Sequence, residues 1–234
     1  MTSQDRSRQR GCVVVPAYNE EARIGEVVRS IRAHVPDVIV VDDGSRDGTA
    51  RAAEAAGATV VRHAVNRGKG VALNTGFEQA RQRGCDYVIT MDGDGQHDSA
   101  DLPKFVEAYV RTAIPVLVGN RMADPRAMPL VRRLTNRFMS WLLSREMGQY
   151  VPDTQCGYRL YRCAVIPFVS TQSTRFAAES EILLHVTERG IRVDSVPVAT
   201  IYRDEKSKIN PFKDTLRFVR MLYRYRGRRR DRRR

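Results

Sequence analysis

At 234 residues the chain suits one domain with at most an appendage, and a core of that size buries roughly 70–75% of the unfolded chain's surface, so no disulfide or metal staple is needed. The formal charge of +13 is uneven: ten arginines and one aspartate between Arg217 and Arg234 carry +9 of it and leave +4 for the rest. The polar residues 1–10 contain no apolar h-region, and no stretch reaches the ~18 consecutive apolar residues of a spanning helix, which excludes a secretory leader and an integral membrane protein and leaves a soluble or peripheral one. Cys12, Cys85, Cys156 and Cys163 show no C-x-x-C spacing and sit in or beside apolar runs. They read as reduced structural thiols of a cytosolic protein, with no zinc site.

In chain order, residues 11–16 (GCVVVP) predict a first strand, and Tyr18-Asn19-Glu20 a turn at its end. Ile24, Val27, Val28 and Ile31 then recur at helical spacing. Residues 38–41 predict a second buried strand ending in Asp42-Asp43-Gly44-Ser45, followed by an alanine-rich helix to about residue 56. A third strand covers 59–62. Asn66-Arg67-Gly68-Lys69-Gly70 then leads into a helix over 71–83 and a strand beginning at Tyr87. Continuous apolar strands alternating with helices indicate a largely parallel sheet with both faces covered, in which ligands bind beyond the carboxyl ends of the strands. Polar clusters fall at four successive strand ends: Tyr18-Asn19-Glu20, Asp42-Asp43, Arg67-Lys69 and Asp92-Asp94. No G-x-G-x-x-G follows the first strand and no P-loop occurs, which disfavours a dinucleotide site.

The fourth of these ends is the most informative. Tyr87 to Met91 is an apolar, β-branched run followed at once by Asp92-Gly93-Asp94. If the extended geometry persists past Met91, Asp92 and Asp94 point the same way, and Gly93 lets a ligand approach the backbone between them. Two carboxylates that close repel each other, and a hard divalent cation relieves the repulsion while keeping positions open for phosphate oxygens. The competing reading is an ordinary Asp-Gly turn. Asp98 and Asp101 read as caps for a helix through Leu102, Phe105, Val106 and Tyr109. Residues 116–119 predict another strand, leading to Asn120-Arg121. A basic amphipathic helix over 128–148 (Leu130, Leu134, Phe138, Trp141, Leu142, Met147, with Arg126, Arg132, Arg133 and Arg137) suits either a bilayer surface or packing on the core. A short strand after residue 159, a helix over 179–189 and a strand over 191–198 complete the body. His34, His63 and His185 read as structural, and His97 as lying behind the metal turn.

Taken together, Pro16-Ala17-Tyr18-Asn19-Glu20, Asp42-Asp43-Gly44-Ser45, Asn66-Arg67-Gly68-Lys69-Gly70, Met91-Asp92-Gly93-Asp94-Gly95-Gln96-His97, Gly119-Asn120-Arg121 and Cys156-Gly157-Tyr158-Arg159 follow one another as in family-2 glycosyltransferases. The chain resembles that family from about residue 13 to residue 209, and within it the dolichol- or polyprenyl-phosphate mannose synthase group, through a Ser-Lys-Ile element at Ser207. The resemblance implies a GT-A fold, a Rossmann-like and mostly parallel α/β sheet with helices on both faces, here with an amphipathic basic C-terminal helix. The organisation it implies is a disordered N-terminus over 1–10, a catalytic domain over 11–209 and a basic helix with an arginine-rich tail over 210–234.

The activity implied is metal-dependent, inverting transfer of a hexose from GDP-mannose or UDP-glucose to a polyprenyl or dolichyl phosphate. Carried over residue by residue, Pro16, Tyr18, Asn19, Glu20, Asp42, Asp43, Lys69, Asp92 and Gly93 would bind the nucleotide sugar. Asp92, Asp94 and Gln96 would hold Mg2+ or Mn2+. Arg121, Arg133 and Arg203 would face the acceptor phosphate, with Asp94 and Arg121 also catalytic. The Q-x-x-R-W element of processive polysaccharide synthases is absent. So are the spanning helices that many lipid-linked relatives carry, which leaves room for a membrane-spanning partner protein.

The chemistry follows from charge. Negative charge builds on the departing diphosphate, and a cation held by Asp92 and Asp94 would take it up. A lipid monophosphate, with a second pKa of about 6, arrives already nucleophilic and needs arginines rather than a base. A hydroxyl acceptor on a glycan or small molecule is the alternative and calls for a carboxylate base, Glu181 or its neighbour Glu179; a solvated helix start explains those glutamates equally well. The basic tail fits an anionic membrane surface at the inner, cytoplasmic face; a nucleic-acid role for it is the distant third reading, because it leaves the four polar strand ends unexplained.

Overall fold

The computed structural model describes residues 4–5, 9–126, 128–169, 177–201, 218–223 and 225–226. Its frame is built from the apolar runs read above. β1 (Gly11–Ala17), β2 (Val38–Asp42), β3 (Thr59–Arg62) and β4 (Tyr87–Thr90) lie side by side in parallel in the order β3-β2-β1-β4. Val13, Val14 and Val15 are fully buried, as are Ile39, Val40 and Val41, because helices cover both faces of these strands and remove any reason for polar alternation. The crossovers are α1 (Glu21–Arg32), α2 (Thr49–Ala55) and α3 (Lys69–Gln82). Gly76 brings α3 down onto β1: a Cβ there would stand 2.2 Å from Val14 Cγ1. The pleat sends Val13 and Val15 to the other face.

Beyond β4 the chain continues through a 3-10 turn (Ser99–Asp101), α4 (Leu102–Thr112), β5 (Val116–Asn120), α5 (Leu130–Met147), β6 (Arg159–Arg162), α6 (Ala177–Glu188) and β7 (Val193–Pro197). The seven described strands form one sheet in the order β3-β2-β1-β4-β6-β5-β7. β6 alone among them runs antiparallel to its neighbours, inserted between β4 and β5. Its register sets Arg159 beside Thr90 and Val118, so the loop that precedes β6 arrives at the carboxyl ends of β4 and β5. Thr90 Oγ1 fixes it there by donating to the Gly157 carbonyl at 2.8 Å.

Two capping expectations divide. Asp98 caps the 3-10 turn, accepting from the Ala100 N–H at 2.9 Å. Asp101 sits at the N-cap of α4 but makes no cap bond; its carboxylate takes Lys104 Nζ at 2.5 Å and the Ala199 N–H at 2.7 Å, because β7 returns alongside. At the N-terminal edge, Gln9 Oε1 accepts from the Tyr109 hydroxyl at 2.7 Å and Arg10 pairs with Asp37 at 2.9 Å. The expected C-terminal helix is described as helical at 218–223 and 225–226, where Phe218 and Leu222 are buried; the rest of it lies outside the described residues. No helix among the described residues is long and apolar enough to cross a membrane.

Candidate active site

Strand order reverses at β1: β2 and β3 lie to one side of it and β4 to the other. Chain segments leaving β1 and β4 therefore part at their carboxyl ends and open a crevice, the place where ligands bind in open α/β sheets. A cleft of about 330 Å³ sits there, with Pro16, Tyr18 and Glu20 from the end of β1, Asp43 from β2, Lys69 from the start of α3, and Asp92, Gly93 and Asp94 from beyond β4 along its walls. Tyr18 is 41% exposed, a flat ring at the rim.

The backbone past Met91 does not stay extended. β4 ends at Thr90 and residues 93–94 form a turn, closed by Asp94 Oδ1 accepting from the Gln96 N–H at 2.9 Å. The expected strand-like alternation of Asp92 and Asp94 thus gives way to a local turn that still leaves both carboxylates on the same cleft. His97 folds back beneath it: its Nδ1 accepts from the Asp92 N–H at 3.2 Å, and its ring stacks on Tyr158 with centroids 5.1 Å apart. The imidazole holds the turn's backbone from behind, and burial pushes its pKa down.

At the floor, Lys69 Nζ lies 2.5 Å from Asp92 Oδ1 and 2.9 Å from Glu179 Oε1. Burial works against the Lys69 charge, but the two carboxylates outweigh it and raise its pKa. Burial likewise opposes ionised Asp92, yet the Lys69 ammonium, helped by His97 and Arg121, holds that carboxyl down to about 2. Lys69 and Asp92 therefore face each other as a charged pair at neutral pH. Gly157 closes it from above: a Cβ there would meet Glu179 Oε1 at 2.6 Å, Asp92 Oδ2 at 3.0 Å and Lys69 Nζ at 3.1 Å, so glycine is what lets the loop before β6 approach.

Several residues carried over from the resemblance have side chains that tie the loops of the fold together. Asp42 is fully buried and its Oδ1 accepts from the Ser45 N–H at 2.9 Å. Its Oδ2 is 3.2 Å from Arg62 Nε, but the N–H is not aimed at it and the oxygen makes no hydrogen bond. Asn19, at φ 55°, accepts through Oδ1 from the Arg46 N–H at 3.0 Å and ties the first loop to the second. Asp43 lines the cleft, yet both its oxygens are committed: Oδ1 to the Arg67 N–H at 2.9 Å and to His63 Nδ1 at 2.7 Å, Oδ2 to the Gly68 N–H at 2.7 Å. Gly68 at φ 90° makes the bend that turns this loop into α3 and delivers Lys69. His63 reaches on to Thr75 Oγ1 at 3.0 Å, the structural part read for it.

Arg121 is buried and forks onto Asp153, with Nε 2.7 Å from Oδ2 and Nη2 2.9 Å from Oδ1. It is expected as a cation open to an acceptor phosphate; in the fold that edge of its guanidinium faces Asp153, which the sequence does not reveal because the two are 32 positions apart. Of the two glutamates at the start of α6, Glu179 and not Glu181 reaches Lys69; two positions on a helix are about 200° apart, so both cannot face one cleft. Arg133 lies on α5, partly exposed and away from the cleft walls. Gln96 is partly exposed, its backbone N–H given to Asp94. Arg203 lies outside the described residues.

Residues 12–169 match the model of glycosyl transferase family 2. The chain belongs to that family. Among family members, it is 30% identical over 215 residues to the UDP-N-acetylglucosamine--dolichyl-phosphate N-acetylglucosaminyltransferase of Methanococcus voltae, covering 82% of this chain and 86% of that one. It is 31% identical over 203 residues to the undecaprenyl-phosphate mannosyltransferase of Micrococcus luteus, covering 82% and 83%. In fold it is similar to glucosyl-3-phosphoglycerate synthase from Mycobacterium tuberculosis, crystallised with Mn2+, uridine diphosphate and phosphoglyceric acid, with a TM-score of 0.68, 24% identity, and coverage of 87% of this chain and 74% of that one. The family-2 sheet is thus GT-A in type, and the polyprenyl-phosphate transferases are homologues of this glycosyltransferase.

Proposed function

We propose that this family-2 glycosyltransferase moves a hexose, mannose or glucose, from GDP-mannose or UDP-glucose to a polyprenyl phosphate at a membrane surface. The observation that carries the reading is the Asp92–Lys69–Glu179 cluster beside Asp94 in a cleft at the strand-order reversal. Relatives whose names specify dolichyl- or undecaprenyl-phosphate acceptors align over most of their length and support the acceptor class.

The donor set suits Mg2+ or Mn2+. Asp92 and Asp94 supply two carboxylates on one cleft, and one or two carboxylates plus substrate phosphates is the usual provision for these hard cations. Asp92 and Asp94 would hold the ion, with Gln96 adjacent. When bound, it supplies positive charge to the departing diphosphate. Lys69 brings a second positive charge to the same place, and Glu179 holds it beside Asp92. Tyr18 offers a ring face to the base.

A phosphate nucleophile needs no base, and Glu179, the one of the two glutamates that reaches the cluster, is already paired with the Lys69 ammonium. The hydroxyl-acceptor reading keeps one supporting observation, the likeness in fold to a synthase crystallised with phosphoglyceric acid. Purified protein incubated with labelled GDP-mannose, UDP-glucose and UDP-N-acetylglucosamine, polyprenyl phosphate and Mn2+ or Mg2+ tests the proposal. A lipid-soluble product that Asp92→Asn and Asp94→Asn fail to form is expected; full turnover in those variants overturns it, and label found only in water-soluble product transfers the case to a hydroxyl acceptor.

A further inference from the structure

α5 buries one face and leaves the other bare. Asn136, Met139, Ser140, Leu143, Ser144 and Met147 pack inward. At 100° per residue the opposite arc, about 100° wide, carries Leu130, Val131, Leu134, Phe138 and Trp141, and these are 72, 61, 65, 48 and 55% exposed. Phe138 and Trp141 stack with ring centroids 6.3 Å apart, forming an aromatic ledge. Five large apolar side chains on one helix face is more than the scattered exposure of an ordinary surface.

Two further observations say what covers it. Arg137 and Arg145 are exposed at the edge of the same arc or within it, and α5 as a whole carries four arginines against one glutamate. The helical segment near the C-terminus is fastened to α5 by an Arg226–Glu146 ion pair, and from there the remaining chain, residues 227–234, adds six arginines and one aspartate. An apolar stripe rimmed with arginine, bearing a tryptophan and adjoining a polybasic tail, complements a surface whose interior is apolar and whose outer layer is anionic. A protein partner would need an acidic rim around an apolar centre to match it, whereas an anionic bilayer meets both conditions by its construction. We infer that the outer face of α5 is the surface by which this enzyme lies on an anionic lipid bilayer, with Phe138 and Trp141 at the level of the headgroups.

The inference deepens the lipid-acceptor reading, on which it rests, because it also connects the bilayer to the cleft. On its inner face α5 is hydrogen-bonded to the loop before β6: Ser144 Oγ accepts from the Val151 N–H at 3.0 Å, and Ser140 Oγ from the Thr154 N–H at 2.9 Å. Asp153 of that loop grips Arg121, and Gly157 closes over Lys69.

Trp141 is the single tryptophan, so the full chain reports on itself. Phosphatidylcholine vesicles with and without phosphatidylglycerol are added in the absence of donor and acceptor, and Trp141 emission is followed with lipids brominated in their acyl chains as quenchers. A blue shift and quenching with the anionic vesicles are expected, and Leu134→Glu with Phe138→Glu should weaken vesicle partition by at least about tenfold while leaving the circular-dichroism spectrum unchanged. Co-sedimentation with vesicles but no change in Trp141 emission overturns the inference, since the tail alone would then be binding. A blue emission maximum before any lipid is added also overturns it, since a second copy or another segment of this chain would then cover the face. Transfer to a short, water-soluble polyprenyl phosphate is measured in parallel: turnover without a Trp141 response removes the docking surface and keeps the function, and a Trp141 response without transfer to any lipid does the reverse.

Discussion

Gly157→Ala adds one methyl group directly over the charged cluster and so tests whether that cluster acts as a unit. The new Cβ would stand 2.6 Å from Glu179 Oε1, 3.0 Å from Asp92 Oδ2 and 3.1 Å from Lys69 Nζ, where ordinary contact begins at 3.4 Å. Glu179 must therefore retreat by about 0.8 Å and the other two by a few tenths. These atoms are the ends of side chains, so the fold can absorb the change for about 1–2 kcal/mol of overpacking, a fall of about 3–6 °C in Tm for a domain of this length. The chemistry tolerates less. A misplacement of about 1 Å in a positioned group can cost about a hundredfold in rate, so kcat/KM for hexose transfer should drop roughly ten- to hundredfold, equivalent to about 1.4–2.7 kcal/mol of lost transition-state stabilisation. Label transfer to polyprenyl phosphate and thermal unfolding on the same preparation separate the two effects. Glu179→Asp added to Gly157→Ala withdraws the carboxylate by one methylene and should recover part of the loss. Parental kcat/KM in Gly157→Ala refutes the reasoning, and so does a defect that the added Glu179→Asp only deepens.

Asp92 is held down to about 2 from an ordinary 3.8, chiefly against burial and by Lys69, which corresponds to roughly 2 kcal/mol of native-state stability in metal-free buffer. A depressed acid gives that contribution in full above its unfolded pKa and loses it as pH falls through the folded one. Urea unfolding curves of the parent and Asp92→Asn should thus differ above about pH 4 and converge toward about pH 2, and a gap independent of pH would contradict the Lys69 pairing. Asp153→Asn strips a buried arginine of its carboxylate and should cost about 3–5 kcal/mol, roughly 10 °C in Tm, read by calorimetry; a change under 1 kcal/mol would mean that Arg121 finds another anion at once. Burial pushes the Cys156 thiol up to about 12, so iodoacetamide at pH 8 should leave Cys156 unlabelled by peptide mapping until denaturant is added, and rapid labelling in the native state would show that the loop before β6 opens.

The parts of this molecule that could be read in its sequence are those whose cause is local. Val13 to Val15 and Ile39 to Val41 are apolar because helices lie on both sides of them, and that condition leaves its mark on consecutive letters. The polar ends of the same strands follow from the same arrangement, which is why Tyr18, Asp43, Lys69 and Asp92 converge on one cleft as expected. What the letters do not carry is which polar group answers which. Asp42 and Asp43 are adjacent and alike, yet one closes its own turn through the Ser45 N–H and the other spans to Arg67, Gly68 and His63. Arg121 pairs with Asp153 only because β6 runs backwards between β4 and β5 and brings the preceding loop to their carboxyl ends. The same reversal sets Gly157 over Lys69, and it is the reason a glycine in a Cys-Gly-Tyr-Arg run, unremarked in any strand-end argument, governs the clearance of the charged cluster. Among the described strands the one that runs antiparallel, β6, thus does more than complete the sheet: it brings the loop that precedes it to the cleft that the first half of the chain opens. Substitutions in the loop before β6 should accordingly disturb turnover at least as much as substitutions at Asn19 or Asp42, whose side chains close the loops rather than face the cleft.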